Sequence, residues 1–212
     1  MMDVAAQIGA ITADRQGSLG DACVAEALSI ITQEGLSKLS LREVARRLGV
    51  SHQAPYRHFE SRDHLVAEVL RRCFQKLADG IGARERSEDP KTDLHRMGAA
   101  YLRFAMENPL EYDLMFAQRW PEVGVAKQMI ADSCLAFEEL RITLARLRAK
   151  QDSRADKDGI DLDAMFIWSA MHGIASILKT DAMENLKIAE TVRGDVALHI
   201  MARIDAALDA AV

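Results

Sequence analysis

Ser40 and Gly49 stand nine residues apart, and the chain between them has room for barely two helical turns. Ser40, with Glu43 three residues on, is a capping-box pair that opens a helix. Leu41, Val44, Ala45 and Leu48 follow at i, i+3, i+4 and i+7 as one apolar stripe, and Gly49 ends it. So short a helix is not stable alone and must lie against its neighbours. Both neighbours read as helix. Apolar residues at 24, 27, 28, 30 and 31 make an amphipathic stretch closed by Gly35. Ser61 caps a longer helix with apolar positions 65, 66, 69, 70, 73, 74 and 77.

Between Gly49 and Ser61 lies "SHQAPYRHF", which reads as a short helix despite Pro55. A proline inside a helix costs ~3 kcal/mol. With Ser51 as N-cap, however, Pro55 is the fourth helical residue, and its missing donor removes only the first helical bond, the one to Ser51. Two short helices joined by a glycine-containing turn form a helix-turn-helix. Ala45 supplies the small residue where the two cross, and Gly49 tolerates positive φ in the turn. Counting forward, Pro55 and Phe59 face inward, leaving His52, Gln53, Tyr56 and Arg57 outside. Spacing alone also fits an ordinary αα-hairpin in a helical bundle.

The charge is unevenly placed. Residues 35–76 carry nine Lys and Arg against four Asp and Glu, or +5, and residues 83–212 carry 17 against 22, or -5. A basic module is joined to an acidic body, which the net charge of -5 conceals. No run approaches the length of an apolar membrane span, and the first residues lack the basic and apolar regions of a secretory signal. Cys23, Cys73 and Cys134, with no CxxC among them, read as buried thiols of a reduced, cytoplasmic protein.

Helical periodicity extends to the end of the chain, with no convincing strand. Pro90 and Pro109 each open a helix, one long helix runs from about 121 to 149, a strongly apolar one covers 161–180, and an amphipathic one covers 188–210. The fold class is all-α, with about nine helices. The polar stretch 80–93 divides the chain into an unpatterned tail over 1–17, a helix-turn-helix domain over 18–80, and a second helical bundle over 81–212.

The stretch "LSLREVARRLGVSHQAPYRHFESRDHLVAEVL" resembles the N-terminal DNA-binding domain of the TetR family of transcriptional regulators. The likeness covers about residues 19–78: the "LSLREVARRLGVS" helix and turn, the "YRHF" end of the recognition helix, and the "SRDHL" opening of the next. The family most often has leucine where this chain has Pro55. The resemblance implies a homodimer whose two heads bind double-stranded DNA at a palindromic operator, with residues 52–58 in the major groove. Gln53 suits adenine; Arg42 suits guanine O6/N7 or a phosphate. His52 and Arg57 are further base or phosphate candidates, and Ser51 opens the same segment. Ser40, Tyr56, His58 and Arg62 match positions that grip the backbone in the family, and Arg62 also lies beside a helix N-terminus, where a phosphate is favoured.

The second domain is rich in Met and aromatic residues, which build either a plain core or a site for a small apolar ligand. The pocket candidates are Met97, Tyr101, Phe104, Tyr112, Met115 and Phe116, then Trp120, Phe137, Met165, Trp168, Met171 and His172. "ENPLEYDLMF" and "WSAMHG" resemble a TetR subgroup with a Trp-His-Gly signature. His172 reads either as a ligand contact or as a satisfied core histidine. The 161–180 helix is apolar on two faces, so both need burial. Ile167, Ala170, Ile174 and Ile177, with Val196, Ile200, Ile204 and Leu208 of the last helix, are the expected dimer face.

Metal-ligand spacing, phosphate-binding glycine loops and nucleophile motifs are absent, so no metal, cofactor or enzyme is expected. The expectation is a ligand-responsive repressor released by a small apolar or aromatic effector of unknown identity, with no membrane partner. Two alternatives stay open: a constitutive DNA-binding dimer, and a helical small-molecule-binding protein without DNA binding.

Overall fold

The computed structural model describes residues 4–83, 85–117, 121, 123–151 and 156–210, with side chains from residue 19 onward except 117 and 123–126. Ten α-helices occur among the described residues and no strand: nine of at least two turns, the expected number although not every expected element, and the single turn Ala182–Asn185. The chain divides into two compact units, Met1–Arg72 with Ala117–Ile130, and Cys73–Phe116 with Ala131–Val212.

The first unit contains α1 (Val4–Glu34), α2 (Leu41–Leu48) and the start of α3 (Arg62–Gly82). The backbone is already helical from Val4, within the stretch read from sequence as a tail. Ala27, Ile30, Val44, Ala45, Leu65 and Leu70 form a buried core, so α2 is sheltered by the helices on either side. Ser40 caps α2, its Oγ accepting from the Glu43 amide at 3.1 Å. The reciprocal half of the capping box does not form. Glu43 instead accepts from Arg46 at 2.6 Å and Arg47 at 3.1 Å, and these hydrogen bonds, Arg46's first, hold its carboxyl down to about 2. Gly35 and Gly49 have φ of 88° and 66°, the left-handed conformations both turns require.

The segment expected to be the second helix of the motif is not α-helical. Ala54 donates to the Ser51 carbonyl at 3.0 Å, a 3-10 turn spans Pro55–Arg57, and the His58 and Phe59 amides both donate to the Pro55 carbonyl at 3.0 Å. Pro55 cannot make the bond to Ser51 that a fourth helical residue makes, and Ala54 makes a tighter one in its place. Pro55 and Phe59 are nevertheless buried, as the inward count predicts.

The second unit is built from α4 (Pro90–Glu107), α5 (Pro109–Ala117), α7 (Leu135–Lys150), α8 (Lys157–Leu178), α9 (Ala182–Asn185) and α10 (Glu190–Ala210). The single helix expected over 121–149 is two, α6 (Val123–Ser133) and α7, parted at Cys134. The α4 helix packs on α7 and α8, and α10 packs on α8 and α4. Two buried charge sites tie these helices together. Arg148 donates to Asp163 of α8 at 2.6 Å and to the Leu208 carbonyl of α10 at 2.9 Å. Asp93 accepts from Arg146 at 2.7 Å and from the Ser87 amide at 2.9 Å. Gly98 lies where α4 meets α10, and a Cβ there would stand 3.0 Å from Met201 Sδ.

The outward face of α8 differs from the expected one. Ile167 and Ile174 are buried in the chain's own core, as are Ile204 and Leu208 of α10; Ala170, Val196 and Ile200 are half-buried. Of the expected dimer residues only Ile177 is exposed. Among the apolar residues of α8 and α10 that do point outward are Leu162 at 72%, Phe166 at 48% and Leu198 at 72% exposure, and Met165. A helix apolar nearly all round carries little phase in its sequence, and the choice of face is made by packing.

Candidate nucleic-acid interface and aromatic cluster

Arg42 projects from α2 into solvent, and Ser51, His52, Gln53, Tyr56 and Arg57 are all exposed on the two turns that follow. The basic surplus of this unit narrows when its ion pairs are drawn. Arg47 is held by Glu26 at 3.2 Å and by Glu34 and Glu43. Arg71 and Arg72 share Glu68 at 2.7 and 3.0 Å, and Arg72 also meets Asp21 at 2.5 Å. Lys38, Arg42 and Arg57 have no ion pair among the described residues, so their charges remain open to an outside anion. Lys38 was not singled out from sequence; its signal is a lone basic residue just ahead of the Ser40 cap. Ser40 is half-buried, its oxygen engaged with the Glu43 amide and its proton available to donate.

Two expected backbone contacts are otherwise occupied. Arg62 donates to the Leu36 carbonyl at 2.7 Å and the Leu39 carbonyl at 3.1 Å, bracing the connection between α1 and α2. The carbonyls of Leu36 and Leu39, which bound a 3-10 turn over Leu36–Lys38, rather than the α3 N-terminus, claim the guanidinium. His58 turns inward: Nδ1 lies 3.3 Å from where a Gly20 Cβ would be, and the buried Nε2 has no hydrogen-bond partner among the described residues.

In the second unit, six of the twelve predicted pocket residues, Tyr101, Tyr112, Phe116, Phe137, Trp168 and His172, meet in one cluster. Tyr101, Phe104, Tyr112, Met115 and Met171 are buried, and Phe116 lies 4.8 Å from both Tyr112 and His172 between ring centres. Trp168 stands 5.9 Å from His172 and 6.1 Å from Phe137. The centre is polar. Tyr101 and Tyr112 hydroxyls are 2.9 Å apart, and they lie 3.1 and 2.6 Å from His172 Nδ1. Burial, then Tyr112, pushes the Tyr101 phenol well above the usual tyrosine range, and burial also raises Tyr112. Burial, then the charge of Lys179, lowers His172. Lys179, which sequence reasoning missed, sits 4.4 Å over the Tyr112 ring and pairs with Asp113; its position seven residues after His172 was the available signal. Met97 lies apart, its sulfur accepting from Thr143 Oγ1 at 3.5 Å, and Met165 points out of the unit altogether. Trp120 lies outside the described residues. The arrangement is an apolar box with three converging polar atoms, suited to orienting a small molecule or to fixing a core.

Among the described residues no group of three His, Cys, Asp or Glu side chains is placed to hold a metal ion. No helix of the described residues is long and apolar enough to cross a membrane.

Comparison with known proteins yields two family matches. Residues 24–69 match a model described as "Bacterial regulatory proteins, tetR family", and residues 94–200 match one described as "Tetracyclin repressor-like, C-terminal domain". The chain is 26% identical over 136 residues to the nucleoid occlusion factor SlmA of Glaesserella parasuis, covering 60% of this chain and 64% of that protein. It thus spans just under two thirds of that relative's length. A Rhodococcus sp. RHA1 protein of unknown function superposes with a TM-score of 0.70 at 23% identity, over 91% of this chain and 92% of the other. The TetR family regulator PfmR of Thermus thermophilus superposes with a TM-score of 0.57 at 23% identity, over 73% and 84% of the two chains.

Proposed function

We infer the function from one premise: the chain belongs to the TetR family of bacterial regulatory proteins, whose two models match its N-terminal and C-terminal parts. We propose a DNA-binding transcriptional regulator, not an enzyme, acting in the cytoplasm as a homodimer and repressing from a palindromic operator. The DNA-contact domain takes in about residues 18–80 and the effector and dimerisation domain about 81–212. The observation that carries the reading is the set of exposed donors on one module: Arg42 and Arg57, without an ion pair among the described residues, with His52, Gln53 and Tyr56. Gln53 and His52 face base edges, and Arg42 takes a guanine or a phosphate. Lys38, Ser40 and Tyr56 hold the backbone. The tight turn at Pro55 offers the groove a shorter, more steeply wound element than an α-helix.

For the dimer, the exposed Leu162, Phe166 and Leu198 of α8 and α10 supply the apolar face that a second copy covers. For the effector, the polar centre of Tyr101, Tyr112 and His172 within its aromatic walls suits a small aromatic or apolar molecule with one polar group. Trp168, His172 and Gly173 are the residues that fit the Trp-His-Gly subgroup. An effector acts here only through its different affinity for the two spacings of the heads. A constitutive dimer is the alternative: ring centres 4.8 Å apart are in ordinary aromatic contact, as in a plain core.

The test is selection of bound sequences from random DNA, followed by gel shift over a salt series. A palindromic consensus with half-sites one helical turn apart, and binding that weakens steeply with salt, is expected. No retarded complex even at low salt would overturn the reading. A compound screen for operator release then separates the effector-gated regulator from the constitutive one.

A further inference from the structure

A groove of about 470 Å³ opens in the second unit between the C-terminal end of α3, α4 and α7. It is not the aromatic cluster: of the pocket residues read from sequence, only Met97 lines it. Its size is that of a small-molecule site. Ile81, Met97 and Ala100 provide apolar wall, and Gly80 and Gly82 leave one side free of side chains.

The lining carries three carboxylates and three arginines, but they are not paired one to one. Glu139 is bound through both oxygens by Arg86 at 3.0 Å. Asp93 is already engaged by Arg146 and the Ser87 amide at 2.7 and 2.9 Å. His95 is paired with Asp205 at 2.8 Å. Exposed Glu85 is the one lining carboxylate with no ion pair among the described residues. Against it stand two arginines. Arg96 reaches only the occupied Asp93, at 3.6 Å, and Arg103 has no ion pair or hydrogen bond among the described residues. Seven residues apart on α4, they lie on the same helix face, two turns from each other.

We propose that this groove binds a small organic acid with a short apolar body. The carboxylate is gripped by the guanidinium of Arg103, with the charge of Arg96 two turns away on the same face, and the body lies on Met97, Ala100 and Ile81. A guanidinium fork matches a carboxylate with two parallel bonds, and the apolar wall adds the affinity that a free inorganic anion lacks. The site needs no operator and no occupant of the aromatic cluster, so it stands or falls apart from the DNA-binding reading.

Calorimetric titration of the whole chain with sodium octanoate, octan-1-ol, octyl phosphate and inorganic phosphate tests it. Octanoate binds saturably, and octan-1-ol and inorganic phosphate bind at least about tenfold more weakly. Arg103→Gln weakens octanoate about tenfold, Arg103→Lys less, and Tyr112→Phe leaves it unchanged, with circular dichroism checking each fold. Three results would each overturn the proposal: no saturable octanoate binding, binding indifferent to both Arg103→Gln and Arg96→Gln, or binding lost with Tyr112→Phe alone. Octyl phosphate binding tighter than octanoate overturns the carboxylate assignment.

Discussion

Tyr112 and His172 share a 2.6 Å hydrogen bond between hydroxyl and Nδ1, with their rings stacked 5.5 Å apart at 24°. The contact joins α5 to α8 and brings Tyr101 of α4 into the same network at 3.1 Å from Nδ1. Nδ1 offers one lone pair, so with His172 assigned as its Nε2–H tautomer Tyr112 donates to it and Tyr101 donates to the Tyr112 oxygen. Three helices therefore meet at one imidazole.

Removing the middle of that chain should cost more than removing its end. Tyr112→Phe is expected to destabilise by about 1–2 kcal/mol, because both neighbours lose a partner inside the core. Tyr101→Phe should cost less, since the shorter bond survives. Urea denaturation of the two single variants and the double measures this, and the double should fall short of the sum. Strict additivity would mean that the three groups do not form a network.

His172 also sets a pH dependence. Its folded-state pKa lies below the ordinary 6.5, from burial and then from Lys179, so the unfolded chain takes up this proton first. The contribution to stability is fully present above about 6.5 and is lost as pH falls from there through the lower folded value. Denaturant midpoints measured from pH 8 to 5 should fall in that window, and His172→Gln should flatten the fall. An unchanged slope in the variant would assign the effect to other groups.

Arg62 and Arg42 differ by 20 positions and by role. Arg62 braces two main-chain carbonyls, so Arg62→Ala should destabilise the head by about 1–3 kcal/mol, with operator binding lost mainly through folding. Arg42 is exposed and unpaired among the described residues, so Arg42→Ala should leave stability unchanged. It should reduce the salt dependence of operator binding by about one unit of slope if it holds a phosphate. Thermal melts and gel shifts on the same two variants distinguish these outcomes; a stable Arg62→Ala protein would undo the bracing role.

These assignments mark where sequence stops being sufficient. The helices were legible because their signals are local: Ser40, Gly35 and Gly49 punctuate them, and apolar spacing fixes type and extent. The gathering of Tyr101, Tyr112, Phe116, Trp168 and His172 was foreseeable from composition, since most large aromatic residues in amphipathic helices go to the core. What failed depends on competition between distant partners. Arg62 meets carbonyls 23 and 26 residues away, which no local pattern announces. The break at Cys134 has no proline or glycine to mark it. Pro55 was placed correctly on the inner face, yet its effect spread beyond one missing bond, because Ala54 captured the freed carbonyl and tightened the segment.

The corrected face of α8 gives the sharpest test, because neighbouring residues on one helix should fail in different ways. Phe166 is 48% exposed and Leu162 is 72% exposed, whereas Ile167 is 4% exposed. Phe166→Glu should leave the fold intact and weaken self-association, since the introduced charge is desolvated only when a second copy covers it. Ile167→Glu buries an unpaired carboxylate in the monomer core and should unfold the second unit outright. Analytical ultracentrifugation with circular dichroism on both variants reads the two effects separately. A Phe166→Glu protein that remains fully dimeric would remove this face from the interface. A folded, monomeric Ile167→Glu protein would instead return the interface to the face first expected from sequence.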